Sequence, residues 1–176
     1  ELPYPKYFQF ALPGFGGADG STALLRRYIG KWGYEAHPWA IGRNMDPGSA
    51  RDMGGVLEFM NDVVKVVGER LHAIRKKSGK RVSLVGWSLG GLYSRQLAAT
   101  YPDLVRQVIT LGTPFGDPRS TIVWPIMRRF IDSPEPPEAD MARWMEMARA
   151  PLYVPLSSTW SRTLKTSGWA FSISSS

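Results

Sequence analysis

The stretch "LVGWSLGG", residues 84–91, sets a serine between two glycines at the spacing G-x-S-x-G. The near-continuous apolar run "RVSLVGW" leads into it, and the helix-like run "SLGGLYSRQLAATYP" leads out. A strand that turns straight into a helix holds the corner residue in a strained, positive-φ backbone and pushes its side chain outward. That makes Ser88 a candidate nucleophile. The chain passes close to itself at such a corner, so the positions two before and two after must be small, and Gly86 and Gly90 meet that need. The corner also leaves Ser88 at a helix N-terminus, where the N–H of Leu89 and the helix dipole can face a developing oxyanion. An oxyanion hole needs a second donor, usually from the loop after an earlier strand. The motif "LPGFGG", residues 12–17, ends the first apolar run. Phe15 N–H is the candidate there, with Gly14 and Gly16 letting the backbone bend toward a substrate. The same glycines do not make a dinucleotide loop. Counted from Gly14, G-x-G-x-x-G needs a third glycine where Asp19 stands, and that carboxylate would face a phosphate.

A serine hydroxyl is a weak nucleophile until a base takes its proton. The chain holds two histidines, His37 and His72, and both precede Ser88. His37, in "YEAHPW", reads as the end of a short strand, and His72 as a surface residue of a long helix. Neither is expected to be the base. Four aspartates follow Ser88: Asp103, Asp117, Asp132 and Asp140. Asp103 follows Pro102 and reads as a turn residue. Asp117 follows "TPFG" on the loop after the next strand, at the sheet edge that should carry Ser88, and is the candidate substitute acid.

The elements that must hold these groups alternate. Residues 7–12, 82–86 and 105–111 read as apolar strands, and "YEAHPWA" as a shorter one. Between them, "STALLRRYIGKWG" has helical spacing at Leu24, Leu25, Tyr28 and Ile29, with Gly33 as its stop. A long amphipathic helix follows the loop "NMDPGSARD", with Val56, Phe59, Met60, Val63, Val67, Leu71 and Ile74 on one side. This β-α-β-α-β order predicts a three-layer α/β/α sandwich with a mainly parallel sheet and right-handed crossovers. Residues 118–148 differ. The proline-rich acidic hinge "DSPEPPEAD" separates two runs rich in Met and Trp, which read either as core helices or as a small helical cap over an apolar pocket.

Composition bounds the partners. With 43% hydrophobic and 21% charged residues, the 176-residue chain is of ordinary globular make-up. It has no cysteine, which removes disulfides, thiolate metal sites and cysteine nucleophiles; no metal or cofactor is expected. The net charge is +7, densest in "RKKSGKR", residues 75–81. No aromatic side chain interleaves these charges, so they read as a helix end stabilised by its dipole, and no nucleic-acid partner is expected. There is no apolar run of transmembrane length and no signal-peptide pattern at the start, which favours a cytoplasmic location.

Taken together, "LPGFGG", "GRN" and "RVSLVGWSLGGLYSRQLAATYPDLVRQVITLGTPFG" resemble an α/β-hydrolase of the lipase and esterase type, over residues 7–163. The resemblance implies a serine hydrolase of carboxylic esters with an apolar acyl group, working without a cofactor. It also implies that an acid and a histidine follow the serine, and that "VPLSSTWSRT" is the strand leading to that acid. Leu164 stands at the acid's position, the last carboxylate is Glu146, and no histidine follows Ser88. Residues 1–163 therefore read as a hydrolase-type domain and residues 164–176 as an atypical polar tail, as a truncation or frameshift after Thr163 would leave. The expected fold lacks its last strand and helix, with an exposed edge strand near Val154–Thr159. Two functions stay open: an ester hydrolase short of its base, and a non-catalytic binding domain for an apolar ligand or a protein partner.

Overall fold

The computed structural model describes residues 7–45, 51–121, 124–129, 135–149, 162–166 and 169–175. Strands β1 (Phe8–Leu12), β2 (Glu35–His37), β3 (Val82–Trp87) and β4 (Val105–Thr113) alternate with helices α1 (Asp19–Lys31), α2 (Met53–Ser78) and α3 (Leu89–Thr100). A 3-10 turn (Pro118–Ser120), α4 (Trp124–Met127), α5 (Glu138–Arg149), β5 (Arg162–Thr166) and β6 (Trp169–Ser175) complete the order. The sheet runs β2-β1-β3-β4-β6-β5, and its first four strands are parallel. The three strands expected to share one parallel sheet do so, with Val82 paired to Val105.

Strand pleating puts helices on both faces. Leu84 and Gly86 turn toward α3, where Gly86 meets the backbone of Gly90. Trp87 turns the other way and, with Leu111, shares a groove with Ser21, Thr22 and Leu25 of α1. The result is the three-layer arrangement the element order predicts. The core lies on the α3 side, where Val56, Met60, Val63, Val67 and Leu71 of α2 are buried and Phe59 and Ile74 pack at its rim. α5 packs on α2 and α3, burying Met141, Trp144 and Ala148.

The ends of α2 follow local chemistry. The Asp52 side chain accepts the N–H of Gly55 at 2.7 Å, which satisfies one of the helix's orphan donors. Gly79 closes the helix at φ 69°, and Arg75, Lys76 and Lys77 occupy the last turn, favoured there by the dipole. Replacing Asp52 with Ala should cost about 1 kcal/mol, read as a lower urea midpoint with an unchanged slope.

Two expectations need correction. In α1 the buried positions are Thr22 and Ile29, whereas Leu24 is 65% and Tyr28 50% exposed. The apolar spacing marked the helix but not its inner face, because Thr22 supplies a small inward contact where the pattern suggested leucine. The segment after Thr163, read as an atypical polar tail, forms paired strands in its described parts. β6 pairs antiparallel to β4, with Ile173 opposite Ile109, and β5 folds back on β6. A hairpin thus adds to the edge of β4 and satisfies its backbone groups. The expected edge strand at Val154–Thr159, part of the "DSPEPPEAD" hinge including Asp132, and Phe130 and Ile131 lie outside the described residues. Among the described residues no helix is long and apolar enough to cross a membrane.

Candidate active site

The corner between β3 and α3 is built as the sequence requires. Ser88 is the N-cap of α3 at φ 52°, ψ −120°, a conformation that non-glycine residues enter only at a cost of roughly 1–3 kcal/mol. Three hydrogen bonds hold it there. Ser88 N–H donates to Leu111 O at 2.8 Å, and Ser88 O accepts Gly91 N–H and Thr113 Oγ1–H, each at 3.0 Å. The carboxyl end of β4 therefore fixes the corner from the side. A Cβ on Gly86 would land on the Gly90 carbonyl, and one on Gly90 would land on the Leu12 carbonyl. Gly91 is equally constrained, since a Cβ there would occupy the place of Thr113 Oγ1. Sequence reasoning passed over Gly91; the doubled glycine in "WSLGG" was the available signal.

The loop after β1 comes up against this corner. A Cβ on Gly14 would stand 3.1 Å from Ser88 Cβ and 3.7 Å from its Oγ, so any larger residue there would press on the serine. Gly16 is needed for a different reason. It has φ 68° in open space, so its backbone conformation, not crowding, selects it. The loop is tied down by Asn44, which is wholly buried. Its Nδ2 donates to Pro13 O at 2.9 Å and Gly14 O at 3.1 Å, and its Oδ1 accepts the Tyr93 hydroxyl at 2.8 Å. Asn44 entered the sequence reading only as part of "GRN", with no role given to it.

Phe15, Ser88 and Leu89 line one cavity, roofed by Met127 and Trp144, with Pro114, Pro118 and Thr121 around it. The two flanks of the acidic hinge thus supply apolar wall, as expected. Trp87, next to Ser88 in the chain, is carried by the pleat to the groove beside α1, on the opposite face. The cavity volume is about 20 Å³, room for about one water molecule. Trp144 is 1% exposed, and its Nε1–H has no hydrogen-bond partner among the described residues.

The base and acid candidates lie elsewhere or are already engaged. His72 packs edge-on against the Tyr101 ring, centroids 5.7 Å apart, and Tyr101 caps the far end of α3. Twelve helical residues put about 18 Å between that end and Ser88. His37 is on β2, two strands from β3 and so about 10 Å across the sheet. It pairs with Phe10, two residues short of Leu12, and stacks on Phe8. Burial holds its imidazole below the ordinary value, partly offset by Glu35, whose Oε1 is 3.5 Å away. Asp117 caps the 3-10 turn, and Arg119 takes both of its carboxylate oxygens, at 2.6 to 2.9 Å. Hydrogen bonding from the Arg119 side chain holds that carboxyl below the usual range. The structure commits Asp117 to a guanidinium, not to an imidazole. Asp103 lies in the turn after α3, as read, and Asp140 in the first turn of α5.

The architecture has relatives. The structure of TT1662 from Thermus thermophilus superposes with a TM-score of 0.57 at 16% identity, covering 85% of this chain and 60% of that one. Bacillus licheniformis lipase BlEst2 in its mature form superposes with a TM-score of 0.52 at 18% identity, covering 85% of this chain and 63% of that one. The chain thus spans less than two thirds of the length of either, and the likeness is one of fold. A family model described as the α/β hydrolase fold matches residues 8–160. With that match over most of its length, a parallel β2-β1-β3-β4 sheet and a strained serine at the β3–α3 corner, the chain belongs to the α/β-hydrolase family.

Proposed function

We propose that the chain carries the nucleophile half of a serine ester-hydrolase site of the lipase and esterase type. Ser88 is the nucleophile, and the N–H groups of Phe15 and Leu89 are the oxyanion donors. The substrate is a small carboxylic ester with an apolar acyl group, handled without metal or other cofactor. The observation that carries this reading is Ser88 held at φ 52° on the wall of an apolar cavity shared with Phe15 and Leu89. Strained corners of this kind concentrate at functional sites, and at a strand-to-helix turn they push the side chain outward. Gly86, Gly90, Gly14 and Gly16 are its structural supports.

The catalytic half is the acid and the base. Neither histidine is near enough to receive the Ser88 proton, and Asp117, the remaining candidate acid, is paired with Arg119. In this 176-residue chain we read Ser88 as a nucleophile without its base. The segment 118–148 acts as a cap whose α4 and α5 roof the cavity, over a hydrolase-type unit comprising residues 1–163. The segment after Thr163 forms the outer edge of that unit's sheet.

A fluorophosphonate probe tests the assignment. Labelling should be slow and confined to Ser88, mapped by mass spectrometry and lost in Ser88→Ala. Labelling scattered over several serines would remove the nucleophile. Labelling as fast as in a complete serine hydrolase would show a base at work. The second reading, a non-catalytic domain binding an apolar ligand, is favoured by the apolar roof of Met127 and Trp144. It requires ligand affinity that Ser88→Ala leaves unchanged.

A further inference from the structure

The hydrogen bonds of Asn44 reach both halves of the site, and their geometry decides where one oxyanion donor points. The Gly14 carbonyl and the Phe15 N–H belong to the same peptide unit. That unit is planar and trans, as are all peptide bonds among the described residues, so its C=O and N–H point in opposite directions. The Gly14 oxygen is held toward the interior by two donors, Asn44 Nδ2 at 3.1 Å and Gly17 N–H at 3.0 Å. The Phe15 N–H is consequently turned away from Asn44. Phe15 and Ser88 line the same cavity, and Asn44 is not among the residues that line it.

The orientation of the Asn44 amide is fixed by its neighbours. Two carbonyls can only accept, so the group facing Pro13 O and Gly14 O must be the NH₂, and the oxygen must face the Tyr93 hydroxyl. The main chain of Asn44 adds two bonds to the same loop, accepting Gly16 N–H at 2.6 Å and donating to Gly17 O at 2.7 Å. Tyr93 lies on α3, the helix whose first N–H belongs to Leu89, and it is wholly buried. Burial raises its hydroxyl well above the ordinary tyrosine value, so it keeps its proton and donates. One continuous chain of bonds therefore runs from the helix bearing one donor to the loop bearing the other.

We propose that Asn44, oriented by Tyr93, is the positioning residue of the oxyanion hole: it turns the Phe15 N–H toward the cavity and fixes the loop's register against α3. This rests on the reading of Ser88 as nucleophile with Phe15 and Leu89 as donors, and it adds two residues that touch no substrate.

The test needs an anion in the hole but no base, and butylboronic acid supplies one. The Ser88 oxygen bonds to boron, its proton leaves to solvent, and boron becomes a tetrahedral anion with one oxygen in the hole. Adduct formation is followed by ¹¹B NMR and titration on the intact chain, with 1-butanol as a neutral ligand that carries the same butyl group but forms no bond to Ser88. The wild-type chain should form the adduct and Ser88→Ala should not. Asn44→Asp keeps the size and the acceptor for Tyr93 but loses both amide donors; it should weaken the boronate at least about tenfold and leave 1-butanol unchanged. Tyr93→Phe, the milder change, should weaken the boronate about threefold. Boronate affinity unchanged in Asn44→Asp would overturn the proposal. Parallel loss of boronate and 1-butanol would also overturn it, by showing a merely structural role. No Ser88-dependent adduct in the wild-type chain would instead remove the nucleophile itself, and this proposal with it.

Discussion

Against p-nitrophenyl butyrate, the 176-residue chain and its Ser88→Ala variant should turn over at rates within about a factor of two of each other. In a serine protease, removing the serine or the histidine alone costs about 10⁶ in turnover, and what remains, roughly 10³ to 10⁴ over water, comes from the oxyanion hole and substrate binding. Ser88→Ala leaves the loop, the helix N-terminus and the cavity in place, so it subtracts little from that residue of activity. The expectation rests on distance. His72 is held against Tyr101 at the far end of α3, and His37 is two strands away at a register short of the loop. Neither reaches Oγ without unfolding its element. A chain carrying an acid and a histidine beyond residue 163 in productive geometry should behave oppositely, with turnover that Ser88→Ala abolishes. Robust Ser88-dependent hydrolysis by the 176-residue chain would show that a base had been missed.

The nucleophile corner was legible in the sequence because its constraints are local. Residues 82–100 contain the buried strand, the serine and the glycines that the strand-to-helix turn demands. The parallel pairing of β1, β3 and β4 was legible for a related reason, since strands buried on both faces are apolar throughout. What escaped depends on partners far along the chain. Asn44 is a single polar residue in a loop, and only the fold brings it beneath Pro13 and Gly14 and beside Tyr93. Gly91 needed knowledge of Thr113, 22 residues on. Trp87 is the sequence neighbour of Ser88, but the pleat sends adjacent strand residues to opposite faces, and Trp87 lines the groove beside α1. The pairing of β6 with β4 was hidden because "WAFSISS" was read for its missing acid and histidine, not for its own strand-like alternation.

Gly90→Ala should be among the most damaging single-methyl changes in this chain, with a loss of about 3 kcal/mol or more. The added carbon would land on the Leu12 carbonyl and within 2.8 Å of Pro13 O. Both are backbone atoms at the end of β1, and Leu12 is wholly buried and paired with Gly86 of β3. They have no rotamer to change, so the first turn of α3 must retreat from the sheet. That movement loosens Leu89, Leu92 and Tyr93, all buried, and pulls Tyr93 from Asn44. Folded domains keep only about 5–15 kcal/mol in reserve, so the variant should show a sharply lower urea midpoint. Gly30→Ala is the matched control. It adds the same methyl near the end of α1, where nothing lies within 4 Å, and its φ is not positive. There the alanine should stabilise by about 0.4–1 kcal/mol, by restricting the unfolded chain. The two variants differ by one criterion, whether a Cβ meets backbone, and the sheet–helix contact at Gly90 is the part of the corner on which the Ser88 conformation depends. Equal midpoints for Gly90→Ala and Gly30→Ala would mean that α3 does not press on β1 as closely as described, and the account of why this corner requires glycine would fail.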